Sequence, residues 1–182
     1  MSVGESDSQS DDFESIVRSN VGCAVILAGS GSDEDYIDRI SLSLQKYRVA
    51  HEVRIASAHK QVERLQEVIN YYDALSGILV YIAVAGGTDA LSGTLSYVSW
   101  RPTISCPPDH CNTSCLTDPL GSSNAYIGRP ENAARFVAQV FASHNKECRA
   151  ALEAERIRKH HTLEGNDLRL RFKYARAQGR GL

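Results

Sequence analysis

The chain has 182 residues with a formal charge of −2, 42% hydrophobic and 23% charged. This is the profile of one soluble globular domain with a sizeable core, and two domains would be cramped. It excludes a strongly basic nucleic-acid binder, and no apolar run reaches the ~20 residues needed to cross a bilayer, so neither nucleic acid nor membrane is an expected partner.

The opening MSVGESDSQSDDFES is acidic and serine-rich. It carries too little apolar surface to offset ordering entropy, so residues 1–20 read as a disordered lead, and they lack the basic and apolar regions of a secretory signal. The main domain is expected over 21–148. CAVILA (23–28) is a short continuous apolar run, the pattern of a parallel strand covered on both faces. After GSGSD comes YIDRISLSLQKY, whose Ile37, Ile40, Leu44 and Tyr47 recur at helical spacing. HEVRIA (51–56) is the second strand, and KQVERLQEVINYY (60–72) the second helix, with Val62, Leu65, Val68 and Ile69 on one face. GILVYIAVA (77–85) reads as a long buried strand, followed by a glycine turn and a short helix over 91–98. PTISC (102–106) is a fourth strand, 125–127 a brief fifth, and ENAARFVAQVFASHN (131–145) an amphipathic helix opening after Pro130.

Strands alternating with helices over short connections predict an α/β fold, a three-layer αβα sandwich with a parallel sheet and its ligand site at the carboxyl ends of the strands. From 149 to 182, ALEAERIRKHH continues as helix and RLRFKYARAQGRGL forms a basic tail ending in glycines. That tail is either a solvated helix with a frayed end, or an arm that packs on a neighbouring subunit or attracts an anion. Five cysteines are an odd number, and Cys23 and Cys148 fall inside predicted elements, so free thiols in a reducing compartment, the cytoplasm, are expected.

Three strand ends share a small-residue signature. In AGSGSD, Gly29, Ser30, Ser32 and Asp33 follow the first strand, and a helix start with two hydroxyls is a ready cradle for an anion. It is not a dinucleotide fingerprint, because the third glycine is missing, and it has no P-loop lysine. A simple helix cap at Asp33 is the plainer reading. In IASAHK, Ser57 and Ala58 keep a turn tight, so that His59 projects into the crevice and Lys60 begins the next helix. Histidine gives and takes protons near neutral pH, and lysine holds a phosphate as a point charge. In AVAGGTDALSG, Gly86 and Gly87 let backbone approach a ligand, and Thr88 or Asp89 can cap the helix that contains Leu91. Each loop alone is weak. Three of them on neighbouring parallel strands converge on one crevice.

GSGSD, SAHK about two dozen residues on, AVAGG-x-x-ALSG and ISCPP, in this order, resemble the phosphoribosylaminoimidazole carboxylase (aminoimidazole ribonucleotide carboxylase) family over roughly residues 21–145. Lysine directly after SAH, with ALSG, is similar to its class II members; class I members, which act on the N-carboxy isomer of the substrate, usually carry arginine there. The resemblance implies a flavodoxin-like sheet and a homo-oligomer, often an octamer, with active sites between subunits. It implies a carboxy-lyase that reversibly carboxylates carbon 4 of aminoimidazole ribonucleotide with carbon dioxide, in purine biosynthesis, with no cofactor: no biotin, ATP or metal. By the same resemblance His59 shuttles the carbon-4 proton. Gly29, Ser30, Ser32, Asp33, Ser57, Ala58 and Lys60 hold ribose and phosphate, and Gly86, Gly87, Thr88, Asp89 and Leu91 line the carboxylate end.

The chain departs from that pattern twice. Class II members usually have glycine-arginine-serine-asparagine where this chain has Gly86-Gly87-Thr88-Asp89, so a cation is lost and a carboxylate gained. The loop after Pro108 is short, with Thr117 and Asp118 where arginine and methionine usually fall. Both losses lie near one pocket and are expected to cost charge-assisted hydrogen bonds to an anion, on the order of 1.5–3 kcal/mol each. A diverged paralogue acting on another heterocycle and a non-catalytic binding relative are therefore the alternative readings, and a flavin or nucleotide module is a further one on this fold. Cys106, His110, Cys111 and Cys115 lack a Cys-x-x-Cys pair, so no metal is expected.

Overall fold

In the computed structural model, which describes residues 13–109 and 112–177, every predicted strand forms. These are β1 (Cys23–Ala28), β2 (Ala50–Ile55), β3 (Leu79–Val84), β4 (Thr103–Ser105) and β5 (Asn124–Tyr126). All pair in parallel, in the spatial order β2-β1-β3-β4-β5. This is the flavodoxin-like order, in which the chain reverses direction across the sheet between β1 and β3. Six helices accompany the strands in the described residues: α1 (13–18), α2 (Glu34–Lys46), α3 (Val62–Ala74), α4 (Ala90–Val98), α5 (Pro130–Phe141) and α6 (Lys146–Ala177).

The period of two along β1 and β3 builds the layers. Ala24, Ile26 and Ala28 with Val80, Ile82 and Val84 face α2 and α5, where Ile40, Leu44, Val137 and Phe141 complete one core. Cys23, Val25 and Leu27 with Leu79, Tyr81 and Ala83 face α1, α3 and α4, where Leu65, Ile69, Tyr72 and Leu95 complete the other. Both central strands are buried at every residue. Each buried Leu, Ile or Val contributes about 1.5–3 kcal/mol, which makes these two strands the rigid frame. β2 is an edge, with Val53 and Ile55 exposed.

The lead expected over 1–20 is corrected in part. Residues 13–18 form α1, and Phe13 and Val17, four apart on one helical face, are buried. The Phe13 ring meets Tyr72 edge-on at 6.2 Å. Average composition concealed this two-residue anchor; residues 1–12 lie outside the described residues. At Gly77 φ is +138°, and an added Cβ would collide with the Val17 carbonyl, so α1 rests on a position that only glycine fills.

The helix predicted to run to Asn145 stops at Phe141. Asn145 is instead the cap of the next one, its Oδ1 accepting from the N–H groups of Glu147 (2.9 Å) and Cys148 (3.1 Å). From there α6 is continuous through the expected helix-to-tail junction as far as Ala177, and residues 178–182 lie outside the described residues. Residues 156–174 of α6 are all exposed.

Glu155 fastens α6 to the body. It is 4% exposed and meets Lys46 at 2.6 Å, Arg135 and Lys159 at 3.4 Å, and the Tyr47 hydroxyl. Burial alone would raise its pKa, but hydrogen bonds from Lys46 and Tyr47 and the charges of Lys46 and Lys159 outweigh it and hold the carboxyl at about 2, against an ordinary 4.5. A depressed folded pKa gives stability that is present above the unfolded value and lost as pH falls through the folded one. Glu155→Gln should therefore be about 1–3 kcal/mol less stable than the unsubstituted chain near neutral pH, with the gap closing between about pH 4.5 and 2. Urea titrations across that window check it; a gap independent of pH refutes it.

Candidate active site

The loops after β2, β1 and β3 meet at the carboxyl edge of the sheet. The Gly29 N–H donates to the Val84 carbonyl (2.9 Å) and the Ala56 N–H to the Ala28 carbonyl (2.9 Å), so the sheet pairing carries into the loops and fixes where each begins. After β1, Gly31–Asp33 make a turn of 3-10 helix whose cap is Ser30: its Oγ accepts from the Ser32 N–H at 3.2 Å and lies 2.9 Å from the Ser32 Oγ. Asp33 makes no side-chain capping bond to α2, which leaves its carboxylate to the crevice.

After β2, the Ser57 carbonyl accepts from the Gln61 N–H (3.0 Å) and the Ser57 Oγ from the Lys60 N–H (3.3 Å). That closes a tight turn carrying Ala58 and His59. Lys60 stays in this turn, because α3 begins at Val62. After β3, Gly87 takes φ +70° and its N–H donates to Asp109 Oδ2 at 2.9 Å, while the Asp89 N–H donates to Ser114 Oγ at 2.8 Å.

A cavity of about 190 Å³ lies among the three loops. Gly29, Ser30 and Asp33 line it from the first, Ser57, Ala58, His59 and Lys60 from the second, and Ala85 and Gly86 from the third, with Leu91 of α4 beneath. His59 and Lys60 are exposed in the single chain. The lining thus holds one ammonium, one carboxylate and one imidazole, with two hydroxyls between them.

Ser32, beside Ser30, and Gly87 and Thr88 are exposed and outside the lining. Asp89 is not in it either. At 3% exposure its carboxylate turns inward as the cap of α4, accepting from the Ser92 N–H (3.0 Å), the Ser92 hydroxyl (2.8 Å) and the Ser105 hydroxyl. The expectation that Asp89 lines the carboxylate end is corrected: three donors and a helix N-terminus hold its charge away from the crevice. Asp118 is occupied too, accepting from Asn124 Nδ2 at 2.8 Å. Ala85 and Asp109 were missed by sequence reasoning; no spacing marks Asp109, which follows two prolines in an irregular loop. Of the residues weighed for a metal, Cys106 lies in the core 3.5 Å from the Tyr36 hydroxyl, Cys115 is buried, and His110 and Cys111 lie outside the described residues.

Fold and crevice define the class: an α/β protein with a flavodoxin-like sheet and a polar-lined crevice at its topological switch point. A family profile described as AIR carboxylase matches residues 23–162. The phosphoribosylaminoimidazole carboxylases of Treponema denticola and Archaeoglobus fulgidus are 35% and 36% identical to this chain over 129 and 125 residues, covering 68% and 65% of it and 81% and 68% of those proteins. The bifunctional phosphoribosylaminoimidazole carboxylase/phosphoribosylaminoimidazole succinocarboxamide synthetase of Rattus norvegicus is 30% identical over 168 residues, which is 88% of this chain and 40% of that longer protein. The crystal structure of Treponema denticola PurE superposes with a TM-score of 0.78 at 30% identity, covering 82% of this chain and 98% of that one. The chain belongs to the AIR carboxylase family.

Proposed function

We propose that this chain interconverts aminoimidazole ribonucleotide plus carbon dioxide with carboxyaminoimidazole ribonucleotide, the carboxy-lyase step of purine biosynthesis, with His59 as the proton shuttle. The observation that carries this is the single cavity that gathers His59, Lys60, Ser30, Ser57 and Gly86 from three strand ends. Lys60 and the two serines suit the phosphate and ribose. Ala85, Gly86 and Leu91 make an apolar wall with bare backbone, suited to neutral carbon dioxide. The aminoimidazole is an enamine and already nucleophilic: its carbon 4 attacks carbon dioxide, a carbon–carbon bond forms, and the ring takes the positive charge. His59 then removes the carbon-4 proton, restoring the aromatic ring and leaving the carboxylate. In reverse, His59 delivers that proton and carbon dioxide departs.

A homo-oligomer, the octamer included, fits the exposure of Tyr97 (73%), Trp100 (70%) and Leu120 on the surface formed by α4 and the loops beyond it, and the exposure of His59 in a lone chain. A cytoplasmic location fits the free buried thiols. A diverged relative acting on a related heterocycle is the second reading. It is favoured by the balance of Lys60 against Asp33 in the lining, where a nucleotide phosphate calls for excess positive charge.

The test is purified chain with carboxyaminoimidazole ribonucleotide, following the loss of its ultraviolet absorbance, with light scattering for the assembled mass. The expected result is decay in proportion to added chain, and formation of the same compound from aminoimidazole ribonucleotide under carbon dioxide. A decay rate indifferent to the chain overturns the first reading and leaves the second.

A further inference from the structure

The loop after β4 brings to the third loop a charge that the reaction just proposed does not use. Asp109 Oδ2 accepts from the Gly87 N–H at 2.9 Å. The same residue closes on Gly86: a Cβ built there would lie 3.8 Å from Asp109 Cγ and Oδ1 and 3.7 Å from Pro108 Cγ. Gly86 is part of the cavity wall. Among the described residues no Lys, Arg or His forms an ion pair with Asp109, unlike Glu155 with its surrounding cations. An exposed carboxylate, held by the Gly87 N–H and with no ion pair among the described residues, therefore stands beside the glycine of the cavity wall.

We propose that Asp109 is a specificity-determining residue that biases the crevice toward the carboxyl-free, less anionic state of its ligand. This rests on the reading of the site given above. Of the three walls, Lys60 claims the phosphate and the Ser30–Asp33 wall is polar and anionic, so the reacting carbon is left to Ala85, Gly86 and Leu91. Carbon dioxide there is neutral and feels no repulsion from Asp109. A carboxylate at the same place meets a like charge across Gly86, and the N–H of the next residue, Gly87, is already engaged by Asp109. A charge-assisted bond to an amide must be broken before that donor can serve the ligand. Asp109 thus raises the free energy of the bound carboxylated nucleotide and leaves the uncarboxylated one nearly untouched, which favours release of the carboxylated product.

The experiment compares the full chain with Asp109→Asn and Asp109→Ala, measuring KM for carboxyaminoimidazole ribonucleotide and for aminoimidazole ribonucleotide in the two directions. The expected result is that the ratio of the first KM to the second falls about tenfold in both variants, the effect of one charge-assisted interaction. A merely structural role would move both KM values together. A ratio that stays within twofold or rises, while both nucleotides are still turned over, overturns the proposal and leaves the functional reading intact. If the unsubstituted chain turns over neither nucleotide, the functional reading fails and this one falls with it. Should both variants fold poorly, the unsubstituted chain still decides. Added salt screens the Asp109 charge, so the KM ratio should drop between low and about 0.5 M ionic strength, whereas screening of Lys60 from the shared phosphate cancels in the ratio.

Discussion

Replacing His59 by asparagine should lower turnover of carboxyaminoimidazole ribonucleotide by about two to four orders of magnitude, the usual worth of a positioned general acid–base. The same change should leave stability within about 0.5 kcal/mol, because the side chain is exposed and lies on a turn closed by Ser57, not by the imidazole. Stopped-flow absorbance under single-turnover conditions, run beside a urea titration, measures both quantities. Asparagine keeps a polar group of similar reach, so substrate binding should survive and the loss should fall on kcat. A variant that retains more than a tenth of the rate would remove the imidazole from the chemistry, and another group in the crevice would have to carry the proton.

Asp89→Ala is expected to destabilise the chain by about 2–4 kcal/mol, which combines the loss of a helix cap with buried donors left unpaired. Ser92 and Ser105 are both wholly buried, so water cannot replace the lost acceptor. The Asp89 N–H also reaches Ser114, whose hydroxyl donates to Asn112, whose amide in turn donates to the Ala85 carbonyl at 3.4 Å. Loosening Asp89 therefore loosens the loop that carries Gly86, and KM should rise along with the drop in stability. Asp89→Asn should also lose stability, because its amide turns an N–H toward hydroxyls that are themselves donating. Denaturant titration and steady-state kinetics test the pair. A variant that binds an anionic nucleotide more tightly would show that the carboxylate faces the ligand after all.

How far the molecule was legible depends on how local each cause is. The strand CAVILA has its ends where the apolar run begins and stops, because a strand buried on both faces can hold nothing else over those six residues. The convergence of the AGSGSD, SAHK and AVAGG loops follows from strand order, which parallel topology restricts severely, so the crevice was readable too. What the sequence concealed were choices between side chains competing for one role. Ser30 and Asp33 can each cap a helix start, and the short 3-10 turn decided for Ser30. Asp89 can face a ligand or its own helix, and Ser92 in the first turn of that helix, with Ser105 sixteen residues away on β4, decided for the helix. Phe13 and Val17 looked like isolated apolar residues in an acidic stretch until the hollow beside Tyr72 and Gly77 supplied their partners. Asp109 had no pattern at all, since its meaning comes only from the glycine it touches.

The four described cysteines lie in different parts of the molecule, all buried and unpaired. Loss of solvent around each sulfur pushes Cys23 up to about 12 and Cys106 and Cys148 up to about 11, and raises Cys115 as well. Only the thiolate attacks an alkylating reagent, so the native molecule is chemically silent at these sites. Reactivity appears when a layer breathes: Cys23 reports the α1–α3 side of the sheet, Cys106 the α2–α5 side, and Cys148 the root of α6. The chain thus carries built-in reporters on both layers of the sandwich and at the start of its long last helix.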